Sequence, residues 1–404
     1  MNILFVISDL NIESGGVTTA ACGLAEVLAA RGHSVTIAAN RKPGTPATPG
    51  RVTVKLFEPD KLSKLMPSKQ LNAWLREHMR EFDAVHIHGI WQRHGHYAAR
   101  AARKAAVPFL VAPHGMLDEA CLRMGSPLIK RLAWTLWDGP MARHAWAVHC
   151  LNEAEYRVAP WVRGKLPVVI FGNGIAAETL AGIPPRGSFR AGRPDLFAQQ
   201  PDRPIALFLS RIHPKKGLDR LLPHWRQVVD AHPTALLVIA GTGDAAYTES
   251  LQALCKSLNI DKSVAWVGQL VGPQKWAALA DADVFVLPSH QEGFSLAITE
   301  ALAAGCPAVI TDECHFDEVR AHNAGIVIDA GDMTAFAAAI NRLLADAATR
   351  QRMSASARQL VADNFTWDRI AATAERAYTA MKAGQSVPRD LRAKRGLGFT
   401  NRVL

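Results

Sequence analysis

Residues 284–304 read VFVLPSHQEGFSLAITEALAA. The run from Val284 to Ser289 has the length and apolar character of a buried strand, and Leu296 to Ala304 has the pattern of a helix. The loop between them, at the strand's carboxyl end, carries Glu292. Phe294, Ser295 and Leu296 open the helix, where backbone N–H groups are free for phosphate oxygens. Glu300 falls about a turn and a half further in. Ser295 has the chemistry of a helix cap and Glu300 can be read as a polar-face residue. The rest of that helix is apolar, however, and a carboxylate in such a setting requires a partner or a ligand hydroxyl.

The same strand–helix rhythm extends on both sides. In the second half, strands are predicted at 205–210, 235–240, 264–267, 284–288, 308–311 and 325–328. Helices are predicted at 218–231, 247–258, 274–280, 296–304 and 333–346. In the first half, strands fall at 3–7, 34–38, 52–56, 84–88, 108–112, 145–150 and 167–171, with helices at 17–30, 96–104 and 128–143. Near-continuous apolar strands separated by helices imply parallel sheets covered on both faces. The fold class is therefore α/β, with two doubly wound, Rossmann-like domains facing across a cleft, and ligands are expected at the carboxyl ends of the strands. A length of 404 residues suits two such domains. The stretch Pro184–Pro204 is rich in Pro, Gly, Arg and Gln with no period, which places the junction near 173–204. Two more helices, 349–364 and 367–382, follow the second sheet, and the Arg-rich stretch from Ala383 onward reads as a mobile tail.

Other candidate residues sit at strand ends. Ser14, Gly15 and Gly16 follow the first strand and precede the first helix. Glycines there let a backbone approach a ligand, or simply make a turn. Arg211, His213, Lys215 and Lys216 follow the strand at 205–210. Cations at that place suit a diphosphate, or form a solvated basic loop. His114, in Pro113-His-Gly-Met116, and His86 and His88 fall at the ends of two other strands. Each can be catalytic or a hydrogen-bonded structural residue. Gly241-Thr-Gly243-Asp-Ala-Ala246 imitates a dinucleotide fingerprint, but it follows the second strand of its domain rather than the first.

The six cysteines form neither a C-x-x-C pair nor a zinc-like cluster, which fits a reducing compartment. No run reaches the ~18 apolar residues of a membrane span. Met1 to Leu10 lacks a basic region and runs into Asp9, so it does not read as a signal peptide. The net charge of +10 is uneven: residues 1–200 carry 24 basic against 15 acidic side chains, and residues 201–380 carry 16 against 20. A basic half can serve nucleic acid, an anionic membrane surface or phosphorylated substrates.

Taken together, these residues resemble glycosyltransferase family 4, the retaining sugar-nucleotide transferases of GT-B fold. The marks are Glu292 and Glu300 in E-x7-E, Arg211 with Lys216-Gly217, Gly15-Gly16, His114-Gly115, Asn173-Gly174-Ile175 and the closing Phe365-Thr-Trp367-Asp368. The resemblance implies an acceptor-side domain at 1–175, a nucleotide-sugar-binding domain at 176–365, a helix at about 366–382 crossing back to the first domain, and a basic tail at 383–404. It implies that Arg211 and Lys216 neutralise the donor diphosphate. Glu292 would hold the donor sugar's hydroxyls, and Glu300 the ribose. Gly293, Phe294, Ser295 and Leu296 would offer backbone donors, and Gly15 and Gly16 would admit acceptor or phosphate. His114 would touch the donor sugar or orient the acceptor. A nucleoside-diphosphate sugar is the expected co-substrate, with no cofactor and no metal. Two positions depart from the family pattern: Ser295, where Gly is common, and Ala176, where Asp often follows.

His88-Gly-Ile-Trp91 and Ala112-Pro-His-Gly-Met-Leu-Asp118 resemble transferases of bacterial exopolysaccharide, capsule and lipopolysaccharide assembly, which implies a glycan or polyprenyl-diphosphate-linked acceptor. Two segments mix basic residues with Leu and Trp: Lys61 to Arg80, and Arg123 to Trp137. Such mixtures suit peripheral contact with an anionic cytoplasmic leaflet, or a basic face over an ordinary core. Nucleic acid is not expected, since no stacking motif or compact basic run is present. The competing readings are a sugar-nucleotide epimerase of the same fold and a non-catalytic sugar-nucleotide-binding protein. The retained Glu292, Glu300, Arg211 and Lys216 argue against the latter.

Overall fold

The computed structural model describes residues 1–11, 16–44, 49–63 and 65–393. The chain divides into two compact units: Met1–Gly174 with the segment from Trp367 onward, and Ile175–Thr366.

Unit 1 holds seven strands, β1 (Asn2–Asp9), β2 (Ser34–Asn40), β3 (Thr53–Phe57), β4 (Ala84–His88), β5 (Phe109–Ala112), β6 (Ala147–Cys150) and β7 (Val168–Ile170), in the order β3-β2-β1-β4-β5-β6-β7. All pairings are parallel, with Ile3 opposite Ala84 and Val6 opposite Ile87 where β1 meets β4. Strand alternation sends Ile3, Phe5 and Ile7 to one face and Leu4 and Val6 to the other. The first face is covered by the helix Gly16–Ala30 and by Ile370, Ala374 and Tyr378 of the helix Trp367–Lys382. The second is covered by Leu71 and Leu75 of the helix Lys69–His78 and by the small residues Ala98, Ala101 and Ala102 of the helix Arg93–Ala105.

Unit 2 holds β8 (Ile205–Leu209), β9 (Leu236–Ala240), β10 (Val264–Gly268), β11 (Val284–Leu287), β12 (Ala308–Thr311) and β13 (Gly325–Ile328), ordered β10-β9-β8-β11-β12-β13. All of these pairings are parallel too. Its core is one apolar cluster centred on Phe208, Trp225, Phe285 and Phe336. In each sheet the strand order reverses once, between β1 and β4 and between β8 and β11. Those are the switch points where doubly wound sheets bind ligands.

Four sequence expectations are corrected. The junction stretch is not structureless: Ala177–Ala181, Ser188–Ala191 and Pro194–Phe197 are short helices, and Phe189 and Phe197 enter the unit 2 core. Asp281 accepts from the Gly187 and Arg190 backbone amides, and Asp283 accepts from Arg186 (2.7 Å) and the Ile205 amide (2.9 Å). The tail is anchored as far as residue 393: Val387 and Leu391 are buried, and Trp146 Nε1 donates to the Gln385 carbonyl (2.6 Å). The helix predicted at 128–143 is interrupted by a π turn over Trp134–Asp138, which the Gly139 amide closes on the Trp134 carbonyl. A π turn supplies one residue too many for its face and shifts the helix register. Finally, Met66, Leu71 and Leu75 of the basic 61–80 segment are core residues rather than an exposed apolar face.

Candidate functional site

Because β8 and β11 are neighbours, the loops that leave their carboxyl ends lie side by side. The first carries Arg211 to Gly217, the second His290 to Gly293. Gly217 has φ +73°, and a Cβ there would strike the Pro288 carbonyl, so glycine is required for the two loops to touch. The Ser289 hydroxyl donates to the Lys215 carbonyl (2.9 Å), which also accepts from the His290 amide (2.8 Å). From β12, Thr311 Oγ1 donates to the Ser289 carbonyl (2.6 Å), and the Glu292 amide donates to the Glu313 carbonyl (2.9 Å).

This frame brings Lys216 Nζ to 2.5 Å from Glu292 Oε1, both side chains largely buried. Arg211 is exposed on the same loop and makes no ion pair among the described residues. Cys314 lies close by, but burial and the Glu292 charge push its thiol up to about 12, so it is not a nucleophile at neutral pH.

Ser295 caps the helix Leu296–Ala303, its Oγ accepting from the Ile298 amide (3.4 Å). Phe294 and Leu296 are half-buried at the helix entry, and Phe294 packs on Phe316 and Phe365. Glu300 is held by Lys275 Nζ (2.6 Å), from the helix Gly272–Asp281. Each glutamate of the motif thus carries its own lysine. Lys275 escaped sequence reasoning because it is an ordinary helix-surface residue 25 positions upstream. A search for cations able to answer the odd carboxylate in an apolar helix is the signal that could have found it.

The fingerprint-like glycines have a packing explanation. A Cβ on Gly241 would strike the Ser210 carbonyl, and one on Gly243 the Ile212 carbonyl. Gly243 and Ile212 form a parallel bridge, and the Ile212 amide donates to the Thr242 carbonyl (2.8 Å). They border a cavity of about 380 Å³, also lined by Trp266 and Gly268.

In unit 1 the strand ends bear histidines instead. His114 has φ +52°, and His114 Nε2 is 3.0 Å from His88 Nδ1. The amide of Gly115 donates to Glu155 (2.5 Å), whose carboxyl burial pushes up to about 6. Behind them runs an ordered chain. His149 Nε2 is 2.7 Å from the Phe171 carbonyl and must donate to it, so His149 Nδ1 accepts from His86 Nε2 (3.1 Å), and His86 Nδ1 accepts from the Tyr378 hydroxyl (2.8 Å). Burial holds His94 and His114 at about 4 and His149 at about 3, and drives His86 and His88 well below the usual range. These rings are neutral at pH 7. His149, Tyr378 and Glu155 were missed because each lies far in sequence from the residue it meets, His86 for the first two and Gly115 for the third.

Gly16 is exposed at the start of its helix, with open space where a Cβ would be, and Gly15 lies outside the described residues. Among the described residues no three His, Cys, Asp or Glu side chains converge as metal ligands, and no helix is long and apolar enough to cross a membrane.

Two doubly wound parallel sheets in tandem, each with one switch point, are the architecture of GT-B enzymes. Family models match in tandem: the glycosyl transferase 4-like domain over residues 15–174 and glycosyl transferases group 1 over residues 195–360. The chain belongs to the family 4 glycosyltransferases. A phosphatidyl-myo-inositol mannosyltransferase of Mycobacterium leprae is 24% identical over 359 residues, 84% of this chain and 86% of that protein. A GDP-mannose-dependent alpha-(1-6)-phosphatidylinositol monomannoside mannosyltransferase of Mycobacterium tuberculosis is 30% identical, covering 60% of this chain and 66% of that one. An uncharacterized glycosyltransferase of Methanocaldococcus jannaschii is 31% identical but is spanned over only 38% of its length. Among solved structures, sucrose-phosphate synthase from Thermosynechococcus elongatus gives a TM-score of 0.76 at 20% identity, covering 95% of this chain and 100% of that one. Anabaena HepE in complex with UDP-glucose gives 0.74 at 19%, covering 93% and 98%.

Proposed function

We propose that this enzyme transfers a sugar, with retention, from a nucleoside-diphosphate sugar to a lipid-linked glycan acceptor in bacterial exopolysaccharide, capsule or lipopolysaccharide assembly. The observation that carries the reading is the meeting of Lys216 and Glu292 at the β8–β11 switch point, on a loop that also carries exposed Arg211, which makes no ion pair among the described residues. In the proposed reaction the bond from the anomeric carbon to the diphosphate oxygen breaks, and negative charge builds on that oxygen. Arg211 and Lys216 stabilise the charge where it develops, and the amides of Gly293, Phe294, Ser295 and Leu296 surround phosphate and sugar. Glu292 accepts hydrogen bonds from the sugar's hydroxyls, and Glu300 from the ribose. The acceptor hydroxyl forms the new bond on the face the diphosphate leaves and passes its proton to the leaving phosphate oxygen. His114 is assigned to the donor sugar or the acceptor, and Gly15 and Gly16 to the acceptor or a phosphate. The chain's own cations take the part a metal would play, and the enzyme acts in the cytoplasm at the inner face of the membrane. The mannosyltransferase activities of the mycobacterial relatives and the UDP-glucose bound by HepE support this donor class.

A thermal-shift series with UDP, GDP, ADP and NAD, with and without EDTA, tests it. A ligand that binds only the folded chain raises its melting temperature by mass action. One nucleoside diphosphate is expected to stabilise the protein, with EDTA making no difference. Stabilisation by NAD alone would overturn the reading, and EDTA sensitivity would overturn its metal-free part.

A further inference from the structure

Among the described residues nine large apolar side chains are exposed, and eight of them fall in two short stretches of unit 1: Leu62 and Leu65, and Met124, Leu128, Ile129, Leu132, Leu136 and Trp137. Scattered surface leucines need no explanation, but such concentration does. The two stretches also adjoin. The Arg93 amide donates to the Leu65 carbonyl (3.0 Å), and the Arg93 guanidinium lies 5.6 Å from the Trp137 ring centroid. Along the helix Pro127–Ala133, which buries none of its residues, Leu128, Ile129 and Leu132 follow the spacing of one helix face. Leu136 and Trp137 continue the exposed run in the π turn. That turn meets the rest of unit 1 through Trp134, whose ring lies tilted at 5.1 Å from Trp161, and the helix that follows buries Met141 and Ala142.

The polar surroundings are basic. Residues 119–144 contain Arg123, Lys130, Arg131 and Arg143 against two carboxylates. Of these, Asp138 is buried under His96 (3.1 Å) and the Trp91 amide, and Glu119 is paired with Arg123 (2.5 Å). Lys61 and Lys69 are exposed beside Leu62 and Leu65, and Asp60 is turned to the Lys69 backbone amide (3.1 Å). A second copy laid on this face would bring like charges together. An anionic bilayer answers both features, taking leucines and a tryptophan into the headgroup region and lipid charge onto the lysines and arginines.

We infer that this face, built from Leu62, Leu65 and residues 124–137, seats the enzyme on an anionic lipid surface. The inference stands apart from the proposed reaction, because binding is read without turnover.

Flotation of the full chain with vesicles of phosphatidylcholine alone, and of phosphatidylcholine mixed with phosphatidylglycerol, tests it. The chain is expected to float with the mixed vesicles and to remain below with the neutral ones. Added salt lowers the bound fraction, as screening of surface charge requires. The triple variant Leu128→Ser, Ile129→Ser, Leu132→Ser replaces exposed side chains and keeps its melting temperature, while its partition falls about tenfold or more. Arg131→Glu weakens binding to the mixed vesicles by several-fold. Failure of the natural chain to float, or unchanged flotation of the triple variant, would overturn the inference. So would a concentration-dependent dimer in light scattering that the triple variant abolishes, which would assign the face to a second copy.

Discussion

The two units use one strand order and put opposite chemistry at its reversal. At the β8–β11 switch point stand Lys216, Glu292 and Arg211, with Lys275 and Glu300 beside them. At the corresponding side of unit 1 stand four buried rings, those of His86 and His88 on β4, His149 on β6 and His94 on the following helix, with His114 half-buried beside them. Topology brings side chains to a place, and the residues there decide what that place can hold. The charged end can exchange an internal ion pair for a phosphate. The uncharged end can meet only ligands that ask for hydrogen bonds, and it resists protonation.

The largest expected effect strikes the charged end. Lys216→Ala is expected to lower turnover at saturating donor by about 10²- to 10³-fold, through lost stabilisation of the leaving diphosphate. It also strands Glu292 as a buried charge. Adding Glu292→Gln should restore stability but not turnover, as melting curves and transfer rates on both variants would show. Unchanged turnover in Lys216→Ala would erase the contrast between the units.

The next prediction separates the units by pH. Unfolded histidines take up a proton near 6.5. The fold depresses the five rings of unit 1, so below that value the unfolded chain binds more protons. Stability of unit 1 therefore falls as pH drops through about 6.5, and continues to fall past the folded values near 4 for His94 and His114 and near 3 for His149. Glu155, pushed up to about 6, acts in the opposite sense, one group against five. In unit 2, His213 and His290 are also lowered, but both are exposed and contribute less. Hydrogen exchange resolved by peptide should show unit 1 losing protection first between pH 6.5 and 4, and equal loss in both units would break the comparison.

Two smaller effects sharpen it. Tyr378→Phe removes the donor to His86 Nδ1 and leaves a buried acceptor without a partner, at about 1–3 kcal/mol in denaturant melts. Ser295→Ala removes the cap of the helix Leu296–Ala303 and should destabilise unit 2 by about 1 kcal/mol.

The strands were legible because each is a compact apolar run, and all thirteen occur where the sequence places them. Elements too short to show a period were not. Ser188–Ala191 is held by Asp281, about ninety residues away, and both it and Pro194–Phe197 bury a phenylalanine. The stretch after Ala383 looked like a free tail because its arginines outnumber the two apolar residues that anchor it. At the site, Glu292 and Glu300 announced themselves by spacing, and Arg211 and Lys216 by position after a strand. Their pairings did not, since Lys216 and Glu292 are joined by sheet order alone. The two basic segments looked alike in sequence, and only packing told the buried Leu71 and Leu75 of one from its exposed Leu62 and Leu65 and from the exposed leucines of the other.

The Lys216–Glu292 pair gives the site a kind of two-key lock. A bare anion that draws Lys216 away leaves a buried carboxylate without its cation. A neutral sugar that engages Glu292 leaves the ammonium unanswered. Only a molecule bringing charge and hydroxyls together satisfies both partners, so the intact nucleotide sugar should bind more tightly than its nucleotide, and free phosphate hardly at all.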